Sequence, residues 1–461
     1  MIRLFRVFVP AGTLILLISE AILVAAIFLL TAAVAAYPTD LDLYLLYENG
    51  IARILVVVFI MLLALHFEDL YSELFVSSRI NLLLKLVMVA GITLVLEGVI
   101  SSAWPDLRVP TAWFAVACAA ALTCIFVWRL IFSAFVLRAV GRKRVLLVGA
   151  TPLLAEIGRH MHAHPEKGSQ VVGYVTGENP PGTLLPGGEV LGGIAELGRI
   201  VESTRPHRIV VGVPEGRDGL PVAELLELRY SGHTVEEAST AYEKAAGRVC
   251  LKALRPGQLI ASGEYAPRPA DVLYQTAANL LVALAGLLVA FPFMLAAAVA
   301  VRLSSPGPVL NRHIRLGRNG RRFTLYKFRS MRGPEGEAGV WAPRNDPRVT
   351  RVGRILRFTR VDELPQLFNV LRGDMAIIGP RAEQPEFAER LADLIPCYPQ
   401  RLVVRPGITG WAQINLESGQ VQDAIARLEY DLYYIKNMSA SLDAFVLLHT
   451  VKAVVQARGA D

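Results

Sequence analysis

Long apolar blocks dominate the first third of this chain, with short polar stretches between them. Continuous apolar runs fill about 11–36, 51–67, 81–100 and 112–137. A hydrocarbon layer of about 30 Å needs about 20 helical residues, and the runs reach this, the second by the smallest margin. The pattern predicts four membrane helices. The first run follows Arg3 and Arg6, lacks a cleavage site and precedes further spans, so it reads as an anchor and not a signal peptide. Glu20 and Glu97 interrupt the runs. Carboxylates at such depth are expected to face the bundle interior.

The pattern changes at residue 142. RKRVLLVGATPLLAEIGRHM reads as a buried strand, a tight turn at Gly149 and an amphipathic helix. VVGYVTG, RIVVGVP and HTVEEAS follow as strands with helices between them. Alternating strands and helices imply a parallel, Rossmann-like sheet over 141–265. Its first turn, GATPLLAEIG, lacks the second glycine that lets backbone approach a pyrophosphate. A structural or regulatory α/β domain is therefore expected, not a dinucleotide site. A fifth apolar run, at 277–303, carries Pro292 near its middle. Proline is tolerated in spanning helices, often with a kink. A full crossing would carry 304–461 to the other face. A segment re-entering at a bend keeps those residues with the cytoplasmic ends of the bundle, and re-entry is expected.

Composition and charge sharpen this picture. Only 19% of residues are charged against about 25% in soluble domains, and mean hydropathy is +0.43. Much of the chain is built for lipid. Arg3, Arg6, Arg138, Arg142, Lys143 and Arg144 flank the first four runs, whereas the 37–50 loop carries Asp40, Asp42 and Glu48 without Lys or Arg. That asymmetry places both ends of the bundle in the cytoplasm. The net charge is +7, and residues 301–360 hold 15 Lys/Arg against three acids, Glu335, Glu337 and Asp346. Such a block attracts anions: phosphates, lipid headgroups or nucleic acid. The four cysteines show no ligand spacing and are expected as free thiols.

After residue 304 the chain reads as short helices and a few strands, an α/β domain at the membrane surface. Its only histidines are His313 and His449, and no phosphate-binding loop, HExxH or kinase set is present. What stands out is VDELPQLFNVLRGDMAIIGPR, residues 361–381, where Asp362 and Glu363 lie among arginines. Arg348, Arg351, Arg354, Arg357 and Arg360 recur every third residue before them. On a helix such residues are neighbours, and arginine presents a planar fork to phosphate. Two interpretations are open. Asp362 caps a helix whose buried stripe is Leu364, Leu367, Phe368 and Leu371 and whose end is Gly373. Alternatively one carboxylate attacks phosphorus while the other holds Mg²⁺.

The C-terminal stretches SSPGPVLNRHIRLGRNGRRFTLYKFRSM (304–331), NDPRVTRVGRILRFTRVDELPQLFNVLRGDM (345–375), IGPRAEQPEF (378–387), RPGITGWAQIN (405–415) and DLYYIKNMSASLD (431–443) occur in one order. Together they resemble the bacterial sugar transferase family, the polyprenyl-phosphate glycosyl-1-phosphate transferases. The whole chain resembles its long forms from exopolysaccharide assembly. The resemblance implies a four-helix transmembrane bundle (1–140), a Rossmann-like, CoA-binding-like domain (141–265) and a monotopic α/β transferase domain (270–461) with a re-entrant helix at about 279–303. It implies Asp362 as nucleophile, Glu363 as its Mg²⁺-associated partner, and Arg357 and Arg381 on the nucleotide-sugar phosphates. Lys327 and Arg329 match basic positions of the same cleft, and Pro292 matches the bend. The implied reaction moves hexose 1-phosphate from a UDP-sugar, glucose or galactose foremost, to undecaprenyl phosphate, releasing UMP. Departures are Ala382 in GPRA for GPRP, Phe291 before Pro292, and Arg312-His313 in LNRHIRLG.

The resemblance also implies an inner-membrane enzyme with its catalytic domain on the cytoplasmic face, and the bundle and Rossmann-like domain are plausible homodimer surfaces. A membrane-anchored nucleotide-sugar dehydratase would need a YxxxK, which is absent. A non-catalytic scaffold would not need the intact acid pair and arginine row. Nucleic-acid binding explains the basic charge but not its attachment to a membrane segment, and no nucleic-acid partner is expected.

Overall fold

The structure is a computed structural model. It describes the chain except residues 1, 5, 6, 10, 36–42, 48, 72–75, 77, 137–142, 165–168, 213–220, 255–264, 333–347, 396, 417–423 and 457–461. Arg6, Asp40, Asp42, Glu48, Arg138, Arg142, Glu335, Glu337 and Asp346 therefore lie outside the described residues. Two compact units emerge, one of Met1–Arg3 and Phe8–Glu236, the other of Leu4–Val7 and Glu237–Asp461.

The first unit holds α1 (Ala11–Ala35), α2 (Gly50–Phe67), α3 (Arg79–Ala103) and α4 (Thr111–Ile131). All four are long and apolar enough to cross a membrane, as the hydropathy pattern predicts. α1 packs on α2 and α4, and α3 on the same two helices. Leu16, Val24, Met61, Ala64, Val89 and Ile125 are buried between them, whereas Ile22, Leu30, Phe59 and Val95 remain exposed. Helices apolar on every side fit lipid, not water.

Glu20 is fully buried, as expected, and pairs with Arg129 of α4 (Nε to Oε1 2.7 Å, Nη2 to Oε2 3.1 Å). Arg129 also donates to the Leu70 carbonyl at 2.6 Å. Burial of either charge alone would be costly, so each carries the other. Glu97 differs. It is half-buried and accepts from the Val109 backbone N–H near the end of α3, not from within the helix cluster.

The same unit holds the parallel sheet. Its strands are β1 (Lys143–Val148), β2 (Ser169–Val175), β3 (Leu184–Leu185), β4 (Gly188–Gly192), β5 (Arg208–Val211) and β6 (Thr234–Glu237), in the order β3-β4-β2-β1-β5-β6. β1 pairs in parallel with β2 and β5, β2 in parallel with β4, and β3 antiparallel with β4. β1 is buried over Val145–Val148, which explains its continuous apolar run. Gly149 follows at φ 110°, and Thr151 caps α5 (Pro152–Ala163) by accepting from Leu154 N–H. Between the strands lie α6 (Leu197–Thr204) and α7 (Val222–Tyr230).

The second unit begins earlier than the sequence boundary suggests. Helix α8 (Ala238–Ala246), assigned above to the Rossmann-like domain, belongs to the C-terminal unit. Lys436 pairs there with Glu243 at 3.1 Å. α9 then runs unbroken through Pro292 from Pro269 to Ser304, 36 residues, starting before the 279 anticipated. Both halves lie on the same unit. Ala283 joins the main core with Leu367, Ile378 and Leu432, while Ala297 and Val301 form a smaller core with Phe328 and Leu356. Leu281, Leu288, Val289, Phe291, Phe293 and Leu303 face outward and are exposed.

β7 (Leu310–Leu316) and β8 (Arg322–Phe328) form an antiparallel hairpin. Its turn places Asn319 and Gly320 at positive φ, 56° and 72°, which asparagine and glycine adopt at least cost. α10 (Arg351–Phe358) follows, capped by Thr350, whose hydroxyl accepts from Gly353 N–H. Then come a 3₁₀ turn (Val361–Glu363), α11 (Gln366–Arg372) and β9 (Ala376–Ile378), the last paired in parallel with β10 (Gly407–Thr409). α12 (Pro385–Leu394) precedes β10, and α13 (Trp411–Asn415), α14 (Ala424–Asn437) and α15 (Ala440–Val455) close the unit. Gly373 ends α11 at φ 80°, as expected, and Leu367 is buried. Phe368 is not. It is 46% exposed, and Val370 takes its place in the core.

Gly353 packs its Cα against the Ser330 backbone, where a Cβ would collide with the carbonyl. A backbone obstacle cannot rotate away. Gly353→Ala is expected to destabilise the C-terminal unit by about 2 kcal/mol or more. An unchanged melting temperature of the detergent-purified chain would contradict this packing.

Candidate active site

Asp362 and Glu363 occupy the 3₁₀ turn that joins α10 to α11. Arg360 starts that turn in the left-handed region, φ 57°, which a non-glycine residue holds at a cost of roughly 1 kcal/mol. The turn is why Asp362 caps nothing. Pro365, not Asp362, sits at the N-terminal boundary of α11, with no side-chain cap bond. The carboxylate is left to other use. Asp362 is 7% exposed, and its Oδ1 is buried without a hydrogen-bond partner.

The cations converge from separate elements. Lys327, in β8, donates from Nζ to Glu363 Oε1 at 2.7 Å. Arg360 Nη1 lies 4.0 Å from the same oxygen. Arg357, on the last turn of α10, donates through Nε to the Ser330 hydroxyl at 2.9 Å. Arg381 stands just after β9, with an exposed side chain and a backbone bridge to Gly407. Its carbonyl accepts from Arg401 Nη2 at 3.1 Å.

These charges separate the two acids. Burial raises the Asp362 carboxyl to about 6, and Glu363 adds to the rise against the pull of Lys327, Arg357 and Arg360. Burial would also raise Glu363, but Lys327, Arg381 and Arg360 outweigh it and hold the carboxyl at about 2. Adjacent residues therefore differ in kind: Glu363 is ionised at neutral pH, while Asp362 is a desolvated carboxylate with an uncompensated oxygen. A buried oxygen lacking a donor, beside cations able to hold phosphate, is suited to attack at phosphorus.

Arg329 is placed elsewhere. Its guanidinium donates to the carbonyls of Ser305 (2.6 Å), Pro306 (2.9 Å) and Val301 (3.4 Å), closing the end of α9 instead of lining the cleft with Lys327. Pro292 lies within α9 and is exposed. Two supporting residues had no sequence signal of their own: Ser330, which orients Arg357, and Arg401, which holds the Arg381 backbone. Arg401 is buried between Glu383 (3.4 Å) and Asp431 (2.8 Å).

Among the described residues no cluster of three or more His, Cys, Asp or Glu exists to hold a metal ion. The acid pair fits only an ion that takes one or two protein carboxylates and completes its shell with substrate and water oxygens, which is the habit of Mg²⁺.

A family profile described as bacterial sugar transferase matches residues 270–457, and one described as a CoA-binding domain matches 66–215. The UDP-glucose:undecaprenyl-phosphate glucose-1-phosphate transferase of Xanthomonas campestris pv. campestris is 32% identical over 346 residues, 69% of this chain and 68% of that protein. The chain belongs to the bacterial sugar transferase family. The exopolysaccharide production protein PSS of Rhizobium leguminosarum bv. phaseoli is 42% identical over 189 residues, 39% of this chain and 94% of its own length. The UDP-N-acetylgalactosamine-undecaprenyl-phosphate N-acetylgalactosaminephosphotransferase of Aeromonas hydrophila is 41% identical over 220 residues, and the match spans 51% of that protein.

The opposite shifts of the two acids predict opposite stability effects. Asp362 is raised from 3.8 to about 6, so its ionised form weakens the fold, with the loss complete above about pH 6. Asp362→Asn should stabilise the chain at pH 7.5 by roughly 1–3 kcal/mol and by much less at pH 4. Glu363 is lowered from 4.5 to about 2, so it stabilises above pH 4.5 and loses that contribution as pH falls toward 2. Glu363→Gln should therefore lower the melting temperature at pH 7.5. Shifts of the same sign in both variants would contradict this electrostatic division.

Proposed function

We propose that this chain transfers a hexose 1-phosphate from a UDP-sugar to undecaprenyl phosphate, with Asp362 as nucleophile. The observation carrying this reading is the buried, unpartnered Oδ1 of Asp362 beside an ionised Glu363 and within a ring of cations. The relatives named for glucose 1-phosphate and N-acetylgalactosamine phosphate transfer support the same overall reaction. They name glucose and an acetamido hexose, and galactose, expected from the sequence, stays open beside them. A part in exopolysaccharide production is the role the PSS protein's name suggests.

In the first half-reaction an Asp362 oxygen bonds to the sugar-bearing phosphorus. The bond from that phosphorus to the bridging oxygen breaks, and the oxygen leaves with UMP. Arg357 and Arg381 bind the two phosphates and stabilise charge as it moves to the bridge. Lys327 and Arg360 hold Glu363 ionised and in place. Magnesium held by Glu363 would supply charge neutralisation for the diphosphate. In the second half-reaction a phosphate oxygen of undecaprenyl phosphate bonds to the same phosphorus. The acyl-phosphate bond breaks, and Asp362 returns as carboxylate.

The lipid acceptor reaches this site through α9. One compact unit packs along both halves of that helix, and the outward face is continuously apolar. A helix crossing the bilayer could not keep one soluble unit along both ends. We therefore take α9 as a monotopic segment that enters and returns on the cytoplasmic face, with Pro292 as the weak point of its hydrogen-bond ladder. The first four helices then act as a transmembrane bundle anchoring a cytoplasmic-membrane enzyme, and the Rossmann-like domain and bundle offer homodimer surfaces.

Incubation with UDP-[³H]glucose, UDP-[³H]galactose or UDP-N-acetyl-[³H]galactosamine without lipid should release UMP and leave acid-stable, hydroxylamine-labile label on the protein. Asp362→Asn should show neither, and an active Asp362→Asn enzyme would overturn the mechanism. The acid limb of kcat/KM should fall below about pH 6, because the nucleophile must be ionised. In a cysteine-free background, Tyr274→Cys and Arg302→Cys should both react with an impermeant maleimide from the cytoplasmic side. Labelling from opposite sides would establish a full crossing.

A further inference from the structure

Two polar residues of α9 are not explained by membrane contact. Gln275 and Asn279 are 8% and 6% exposed and stand one helical turn apart, both turned into the C-terminal unit. Neither touches the acid pair. They grip β9 instead. Gln275 Nε2 donates to the Ile378 carbonyl at 3.1 Å, and Asn279 Oδ1 accepts from the Ile377 N–H at 2.9 Å. The grip is backed from behind. The Tyr434 hydroxyl accepts from Gln275 Nε2 at 2.8 Å and donates to Asp443 Oδ1 at 2.8 Å.

The strand held in this way leads directly to Arg381, with only Gly379 and Pro380 between. That connection has no slack. Gly379 N–H donates to the Thr409 carbonyl at 2.9 Å, and the Pro380 carbonyl accepts from Gly407 N–H at 2.9 Å. A Cβ at Gly379 would meet the Arg405 carbonyl at 2.5 Å, and proline fixes the next φ. Arg401 holds the Arg381 carbonyl itself. A shift of β9 against α9 is therefore passed to the Arg381 backbone and not absorbed by the loop.

We propose that Gln275 and Asn279 are positioning residues for Arg381. They tie the arginine that meets the nucleotide-sugar phosphates to the segment seated in lipid, so the donor phosphates are held at a set place relative to the membrane surface. This rests on the assignment of Arg381 to the donor phosphates. Asn279 acts through its acceptor alone, since Nδ2 is buried without a hydrogen-bond partner. A buried amide kept for one half of its bonding capacity, at the cost of an unsatisfied N–H, fits a positioning demand better than a stabilising one.

The test is a double-mutant cycle on the full chain in nanodiscs, with undecaprenyl phosphate and the UDP-sugar turned over fastest. Asn279→Leu and Gln275→Leu should each raise KM for the UDP-sugar by roughly tenfold, with KM for undecaprenyl phosphate within about twofold of the parent. In an Arg381→Ala background the same changes should cost less than about twofold, because residues acting through one another are not additive. Asn279→Asp, which keeps the acceptor, should restore a KM near the parent's. Where the leucine variants lower the yield of folded chain, Asn279→Ala and Gln275→Ala carry the same cycle. Costs that multiply in full with Arg381→Ala would overturn the positioning role. An Arg381→Ala enzyme with unchanged kinetics would instead remove Arg381 from the donor site, a separate failure.

Discussion

The Lys327–Glu363 ion pair is the contact on which the charge state of the acid pair depends. On an open surface such a pair contributes little. Here Lys327 is 24% exposed and Glu363 17%, and the pair is joined by a 2.7 Å bond. Burial would otherwise push Glu363 upward. Two adjacent buried carboxyls would then compete for one proton, and each would spend part of its time neutral. With Lys327 in place the proton equilibrium falls on Asp362 alone. The pair also ties the hairpin strand β8 to the 3₁₀ turn, so charge state and position are fixed by one bond.

A second constraint is that this polar cluster lies on a unit whose other surface is apolar. α9 resolves the conflict by length. Its inward face supplies Ala283, Ala297 and Val301 to two separate cores, and its outward face is left to lipid. Small residues on the inward side let the α11 side chains approach, and Leu367 comes within 3.5 Å of the Cβ position of Gly286. Leu367 lies four residues after Glu363, so the acid pair is set against the membrane helix through one short helix and no flexible loop.

Much of this was legible from pattern. The membrane helices follow from unbroken apolar runs, and the parallel sheet from buried Val145–Val148 and its successors. The acid pair and its basic neighbours were visible as an unusual charge cluster in an apolar chain. Other features depend on tertiary context. Arg329 stands two residues from Lys327, and strand periodicity would place both on one face. But β8 ends at Phe328, and beyond it the alternation no longer applies, so Arg329 turns to the end of α9. Phe368 fits the helical stripe of LPQLFNVL, yet α11 spans only seven residues after a 3₁₀ turn, and the phase of the stripe shifts toward Val370. The pattern of α8 shows an amphipathic helix without saying which unit receives its apolar side.

The arrangement of counter-charges completes the logic of the site. Four cations gathered around one turn would repel one another, and the two acids of the pair do not balance them. The remaining negative charge is placed behind the site. Glu383 is buried, ion-paired with Arg401 and accepting from Arg427, and Asp431 is paired with Arg401 out of water. Arg401, Arg381 and Arg427 hold Glu383 below the usual carboxylate range against the effect of burial, so it stays ionised. Those acids satisfy the buried Arg401, while the Arg381 side chain remains exposed. Neutralisation of Arg401 on the inner side leaves positive potential concentrated around the exposed Arg381. The strained Arg360 and the desolvated Asp362 are held in that field by the surrounding ion pairs and cores, since neither conformation nor burial state favours them alone.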